Sequence, residues 1–177
     1  LGMQSGSRTL RYLLSLVLLI GTHISPIANG ETLSSEDFSQ LALELSSKVT
    51  LFRDVWKRDP DAQFYGGTSR DYLLWLRGQV HGLEGATLEG RLQQLRSLPL
   101  IDLSEFTVPG SDVDVITSKS DLGIDASKYQ VKKVDYVNKQ RLDPSTTEGR
   151  TEIEQGFLPA EKILLGRSEL SPLPGTG

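Results

Sequence analysis

Asp112 and Asp114 stand two residues apart in the run Pro109-Gly110-Ser111-Asp112-Val113-Asp114-Val115-Ile116. In an extended strand, side chains at i and i+2 leave the same face. The two carboxylates then project together, while Val113 and Val115 turn towards a core. Carboxylates held that close repel each other unless a cation lies between them. Hard oxygen donors of this kind suit Mg²⁺ (or Mn²⁺), which takes one or two protein carboxylates and leaves its other positions to water and substrate phosphates. Earlier in the chain, Phe64-Tyr65-Gly66-Gly67-Thr68-Ser69-Arg70-Asp71 reads as a short strand, a Gly-Gly turn and a helix start. Glycines at a helix entrance let backbone N–H groups approach an anion, and the helix N-terminus adds a favourable partial charge. A phosphate chain fits between Gly66-Gly67 and the Asp pair, with the Ser111 hydroxyl as a further donor.

These residues need elements to hold them. Ser34-Ser35-Glu36-Asp37 is a helix start with a capping side chain and first-turn acids. Phe38, Leu41, Leu45, Val49, Phe52 and Trp56 then recur at helical spacing, which predicts one amphipathic helix over 34–58. Asp59-Pro60-Asp61 stops it. After a strand at 62–65, Tyr72, Leu73, Leu74, Trp75 and Leu76 make a helix apolar almost all round, hence buried on most sides. Gly78, Gly82 and Gly85 are expected to break it. Leu88, Leu92 and Leu95 space a short amphipathic helix with Arg91 and Arg96 outside. Tyr129 to Val137 reads as another strand and carries Asp135. Residues 144–156 are polar with little periodicity, 157–165 form one more packed segment, and 171–177 read as a loose tail. The predicted class is α/β (α+β): a small mixed sheet flanked by helices, forming a single domain over 31–170 with an insert at about 78–105.

Residues 1–30 read as a secretory signal peptide. Arg8 and Arg11 form its positive region, Tyr12 to Ile20 its apolar region, and Ala28-Asn29-Gly30 its cleavage site, with cleavage near Gly30. The apolar run is too short for a transmembrane helix, so an exported (periplasmic or secreted) chain with no transmembrane helix in the mature part is expected. Setting the leader aside leaves 17 basic residues against 23 acidic ones, a net charge near −6. No extended nucleic-acid surface is expected from that balance. The absence of cysteine excludes a disulfide framework, a thiol nucleophile and a Cys-based zinc site. His23 leaves with the leader, and His81, in a Gly-rich loop without a nucleophile motif, reads as a surface residue. Catalysis, if present, is carboxylate and metal chemistry.

Gly66-Gly67-Thr68-Ser69-Arg70-Asp71-Tyr72-Leu73-Leu74 resembles the Gly-Gly-x-x-Arg-Asp-x-Leu-Leu signature of the CCA-adding enzyme and poly(A) polymerase branch of the nucleotidyltransferase superfamily, which also includes DNA polymerase β. Gly110-Ser111-Asp112-Val113-Asp114-Val115 is similar to that superfamily's Asp-hydrophobic-Asp-hydrophobic strand. The resemblance covers residues 62–119 and implies transfer of a nucleoside monophosphate from a nucleoside triphosphate to a hydroxyl of a protein, RNA or small-molecule acceptor. It further implies that Arg70 and Asp71 shape the nucleotide site. Asp135, between Val134 and Tyr136, resembles the third carboxylate, the general base for the attacking hydroxyl. Asp125 and Asp143 are weaker candidates for that role. The alternative is a catalytically inactive periplasmic or secreted binding module on the same fold, with the Asp pair structural.

Overall fold

The computed structural model describes residues 33–81, 87–155 and 159–175. The leader, Gly82, Gly85 and the side chain of His81 lie outside the described residues. The expected mixed class is met, with five α-helices and a five-stranded mixed sheet among the described residues. Among the described residues, no helix is long and apolar enough to cross a membrane.

The first amphipathic stretch forms two helices where the periodicity predicts one. These are α1 (Ser35–Ser46) and α2 (Thr50–Arg58). Ser34 caps α1, its hydroxyl oxygen accepting from the Asp37 N–H at 3.1 Å. At the break, Ser46 and Ser47 donate their hydroxyls to the carbonyls of Leu43 and Glu44, a local competition with the helical ladder. Val49 is extended and forms a parallel bridge with Ile101. The apolar stripe survives the break: Leu41, Leu45, Val49, Phe52 and Trp56 are all buried.

Strand β1 (Gln63–Tyr65) runs directly into α3 (Gly66–His81). Tyr72, Leu73, Leu74 and Leu76 of α3 are buried, as its apolar circumference requires. The Tyr72 hydroxyl donates to the Ala42 carbonyl at 2.6 Å and so ties α3 to α1. Gly78 does not break α3: a Cβ there meets nothing within 4 Å, so the glycine sits on an open face and the helix continues through it. The insert folds as α4 (Leu88–Ser97), with Leu92 and Leu95 buried. Arg91 donates to the Gln79 carbonyl and Arg96 pairs with Glu44, so both outer arginines stitch α4 to its neighbours.

Strand β2 (Asp112–Ile116) and strand β3 (Lys133–Val137) follow, then α5 (Thr147–Glu154), β4 (Ile163–Leu165) and β5 (Leu170–Pro172). The strand order is β3-β2-β1-β4-β5, with β2 and β3 parallel and the other pairs antiparallel. Strand β3 begins later than the sequence predicts. Residues Ala126–Tyr129 form a 3₁₀ turn closed by Gln130 in the left-handed region (φ 58°). Residues 147–154, without visible periodicity, are nevertheless helical, because α5 is short and only Gly149 and Ile153 need burial. The tail is also less loose than expected, since β5 pairs with β4 and Leu173 is buried.

One face of the sheet carries the main core. Phe64, Val113, Val115 and Leu165 meet α2 and α3 through a cluster of Phe52, Trp56, Tyr72 and Phe106, in which the Phe52 and Phe64 rings lie 4.2 Å apart. The other face carries a small cluster of Tyr65, Ile116, Val137, Leu142, Leu164 and Leu173. The same side chain alternation that puts Val113 and Val115 in the first core puts Asp112, Asp114 and Ile116 on this second face.

Candidate active site

The carboxylates gather at one end of the second face. Strands β2 and β3 are parallel and in register, with Asp114 opposite Asp135 and Asp112 opposite Lys133. Strand β1 is antiparallel to β2, with Tyr65 opposite Asp114. The chain therefore leaves β1 at the same end at which β2 and β3 begin. Gly66, the next residue, is at φ +65°, and a Cβ on it would lie 3.3 Å from the Asp114 carboxylate. The backbone conformation requires glycine here, and a side chain would in addition crowd the Asp114 carboxylate. The Gly-Gly unit and the Asp pair, which the sequence reading sets on either side of a phosphate, lie side by side here. This places the N-terminal end of α3 beside an anion, a favourable arrangement for the helix dipole.

Asp135 turns towards Asp112 and Asp114, and a residue that sequence reasoning passed over comes with it. The Lys133 ammonium lies 2.7 Å from the Asp135 carboxylate and 3.8 Å from that of Asp112. The three side chains are open to solvent, Lys133 by 50%, Asp112 by 39% and Asp135 by 38%. The hydrogen bond to Asp135 and the charges of Asp135, Asp112 and Asp114 raise the Lys133 ammonium above its ordinary range. Asp114 is the most enclosed of the carboxylates. Burial pushes it up to about 6, the charges of Asp135, Asp112 and Glu152 act in the same direction, and Lys133 opposes them.

Glu152 is the second residue missed by sequence reasoning. It lies on α5, in the stretch whose periodicity is invisible, and its carboxylate is 3.9 Å from Arg141. The Tyr65 phenol is the third. Burial raises it well above the ordinary range, and the charges of Asp114, Glu152 and Asp135 add to that while Arg141 opposes it, so it stays protonated. The alternation of β1 marks Tyr65 as sharing a face with Asp114 only once the register is known.

The other expected site residues are placed differently. Arg70 and Asp71 stand in the first turn of α3, joined by a 2.8 Å hydrogen bond, and Arg70 also pairs with Glu161 of the 3₁₀ turn Pro159–Lys162. Burial raises the Asp71 carboxyl despite this partner. These two residues brace the approach to β4 alongside the site. The Ser111 hydroxyl donates to the Val108 carbonyl at 2.7 Å and is engaged in its own turn. Asp125 and Asp143 cap local turns through the N–H groups of Ser127 and Ser145. The side chains of Ser127 and Ser145 first, and then these backbone groups, lower the two carboxyls, and neither joins the cluster.

The donor chemistry fits a hard divalent cation held by two carboxylates and completed by water and phosphate. Among the described residues, no group of three or more His, Asp or Glu side chains is placed so that it could hold a metal ion, so the carboxylate donors offered to a cation are the pair Asp112 and Asp114. The Lys133 ammonium supplies the positive charge that Asp112 and Asp135 share. Comparison of the chain with protein-family models, with curated proteins and with solved structures gives no match.

Proposed function

We propose that the chain is an exported nucleotidyltransferase-like protein, which moves a nucleoside monophosphate from a nucleoside triphosphate to a hydroxyl of a protein, RNA or small-molecule acceptor. The observation that carries this reading is the in-register pairing of Asp114 with Asp135, beside Asp112 and against Gly66. Asp112 and Asp114 are the residues that would hold Mg²⁺ or Mn²⁺. When bound, the cation supplies charge neutralisation on the phosphates. The backbone of Gly66-Gly67 at the start of α3 binds phosphate oxygens. Asp135 accepts the proton of the acceptor hydroxyl as that oxygen bonds to the α-phosphorus; the bond from the α-phosphorus to the bridging oxygen breaks, and pyrophosphate leaves. Tyr65, protonated beside Asp114, lines the floor of the site.

A second reading is favoured by one specific observation. Lys133 already offsets part of the carboxylate charge, and a cluster relieved in this way also suits a non-catalytic binding module. Calorimetric titration of the chain with ATP, GTP, CTP and UTP, with and without Mg²⁺, separates the two. The transferase reading expects metal-dependent binding of at least one nucleotide, lost in Asp112→Asn/Asp114→Asn. Failure of a folded, metal-replete sample to bind any nucleotide favours the module.

A further inference from the structure

We infer that Lys133 is an exchangeable internal counter-ion, so that its ammonium and a divalent cation compete for the Asp112 carboxylate. The inference rests on the metal-binding reading of Asp112 and Asp114 above. Three observations support it. The first is position: parallel register places Lys133 opposite Asp112 on the face shared with Asp114 and Asp135. The second is contact: the ammonium is 2.7 Å from Asp135 and 3.8 Å from Asp112. The third is freedom, for the side chain is half exposed. A lysine stem has four rotatable carbons, and an exposed pair of this kind is weak enough to be broken.

An ammonium and a divalent cation cannot both be held against the Asp112 carboxylate without repelling each other at close range. Entry of a divalent cation therefore requires the ammonium to swing away from Asp112 and Asp135 towards solvent. The exchange has a consequence for order of binding. A free cation must displace Lys133 without compensation, whereas a cation arriving on a triphosphate brings anionic oxygens that the displaced ammonium can meet. The site is thereby biased towards metal already complexed by phosphate. It also keeps one positive charge among its three carboxylates when no ligand is present, which a bare group of three would not.

The test is Mn²⁺ binding to the chain, read by loss of the free-ion electron paramagnetic resonance signal at pH 7.5, in wild type, Lys133→Met, Lys133→Arg and Asp112→Asn. The expected result is one Mn²⁺ bound about tenfold more tightly by Lys133→Met than by wild type, with Lys133→Arg close to wild type and Asp112→Asn weaker. Equal or weaker binding by Lys133→Met, with wild-type binding still sensitive to Asp112→Asn, overturns the inference and leaves the metal site standing. Absence of binding in all four proteins overturns both. Binding by Lys133→Met alone supports the inference and moves the wild-type chain towards the module reading. A measurement on the unmutated protein covers the case in which Lys133→Met does not fold: the Lys133 side-chain NMR resonances should shift on saturation with Mg²⁺. Saturation that leaves them unmoved overturns the inference.

Discussion

Asp54 and Asp114 are both partly buried aspartates near the sheet, and their surroundings act on them in opposite directions. Asp54, on α2, accepts hydrogen bonds from the Tyr129 hydroxyl, from Lys128 at 3.0 Å and from Lys57 at 3.4 Å. The Tyr129 hydrogen bond leads the effects that outweigh burial and lower Asp54 to about 2. Asp114 is instead raised to about 6, by burial first and then by Asp135, Asp112 and Glu152. The first carboxylate is satisfied by donors and works as a fastening between α2 and the 3₁₀ turn before β3. The second is held among like charges, which disfavour its ionised form, the kind of perturbation that marks a candidate functional group. Sequence alone does not separate them, since each is an Asp one or two residues from a valine.

The largest test of this contrast is at Gly149. A Cβ there would lie 1.8 Å from the Asp143 carbonyl oxygen, with two more Asp143 backbone atoms inside 3 Å. Gly149→Ala is expected to push α5 off its 3₁₀ neighbour Lys139–Leu142 and to destabilise the protein by about 3 kcal/mol. A urea unfolding midpoint measures that loss. If α5 moves, Glu152 moves with it, and an NMR titration should find the Asp114 carboxyl lowered from about 6. An unchanged Asp114 would sink the claim that α5 helps set its charge.

A smaller effect is expected at the satisfied aspartate. Asp54→Asn removes the charge that Tyr129 and Lys128 answer, and at pH 7 it should cost about 1 kcal/mol, allowing for solvent screening. The sign follows from a folded value of about 2 against 3.8 unfolded. The stabilisation is complete above 3.8 and is lost as pH falls through 2. Denaturation curves of wild type and variant should therefore converge in strong acid. Persistent separation there would mean that Asp54 contributes packing and not charge.

Asp114→Asn should produce a change of similar or smaller size and opposite sign. With a folded value of about 6 against 3.8, the charged form is penalised in the folded state. The penalty is absent below 3.8 and grows as pH rises to 6. In metal-free buffer at pH 7, the Asn variant should be more stable than wild type by about 1 kcal/mol after discounting for exposure. Wild type should become the more stable of the two when a divalent cation is added. A variant less stable than wild type at pH 7 without metal would place Asp114 in the same class as Asp54.

The candidate site was legible in the sequence to the extent that it is local. The strand alternation of Asp112-Val113-Asp114-Val115 and the glycines after Tyr65 are properties of a few neighbouring residues, and the structure places each where period 2 and helix-entry geometry put them. The role of Lys133 was not legible, because a lysine two residues before Asp135 points to the same face in any strand but meets Asp112 only in parallel register with β2. Glu152 was hidden for the same reason, since its helix is too short to print a period and is placed by contact with the turn at Lys139–Leu142.

By itself the sequence determined the mixed class, the apolar stripes of α1, α2 and α3, the face of β2 that carries two carboxylates, and the need for glycine next to them. These follow from side-chain periodicity and backbone sterics, which act over a turn or a few residues. The tertiary structure alone decided that the long first helix breaks at Val49 to pair with Ile101, that α3 continues through Gly78, and that Asp114 faces Asp135 with Lys133 beside them. Pairing between strands and burial against distant segments are long-range energies, and no local pattern in the chain encodes which partner they select.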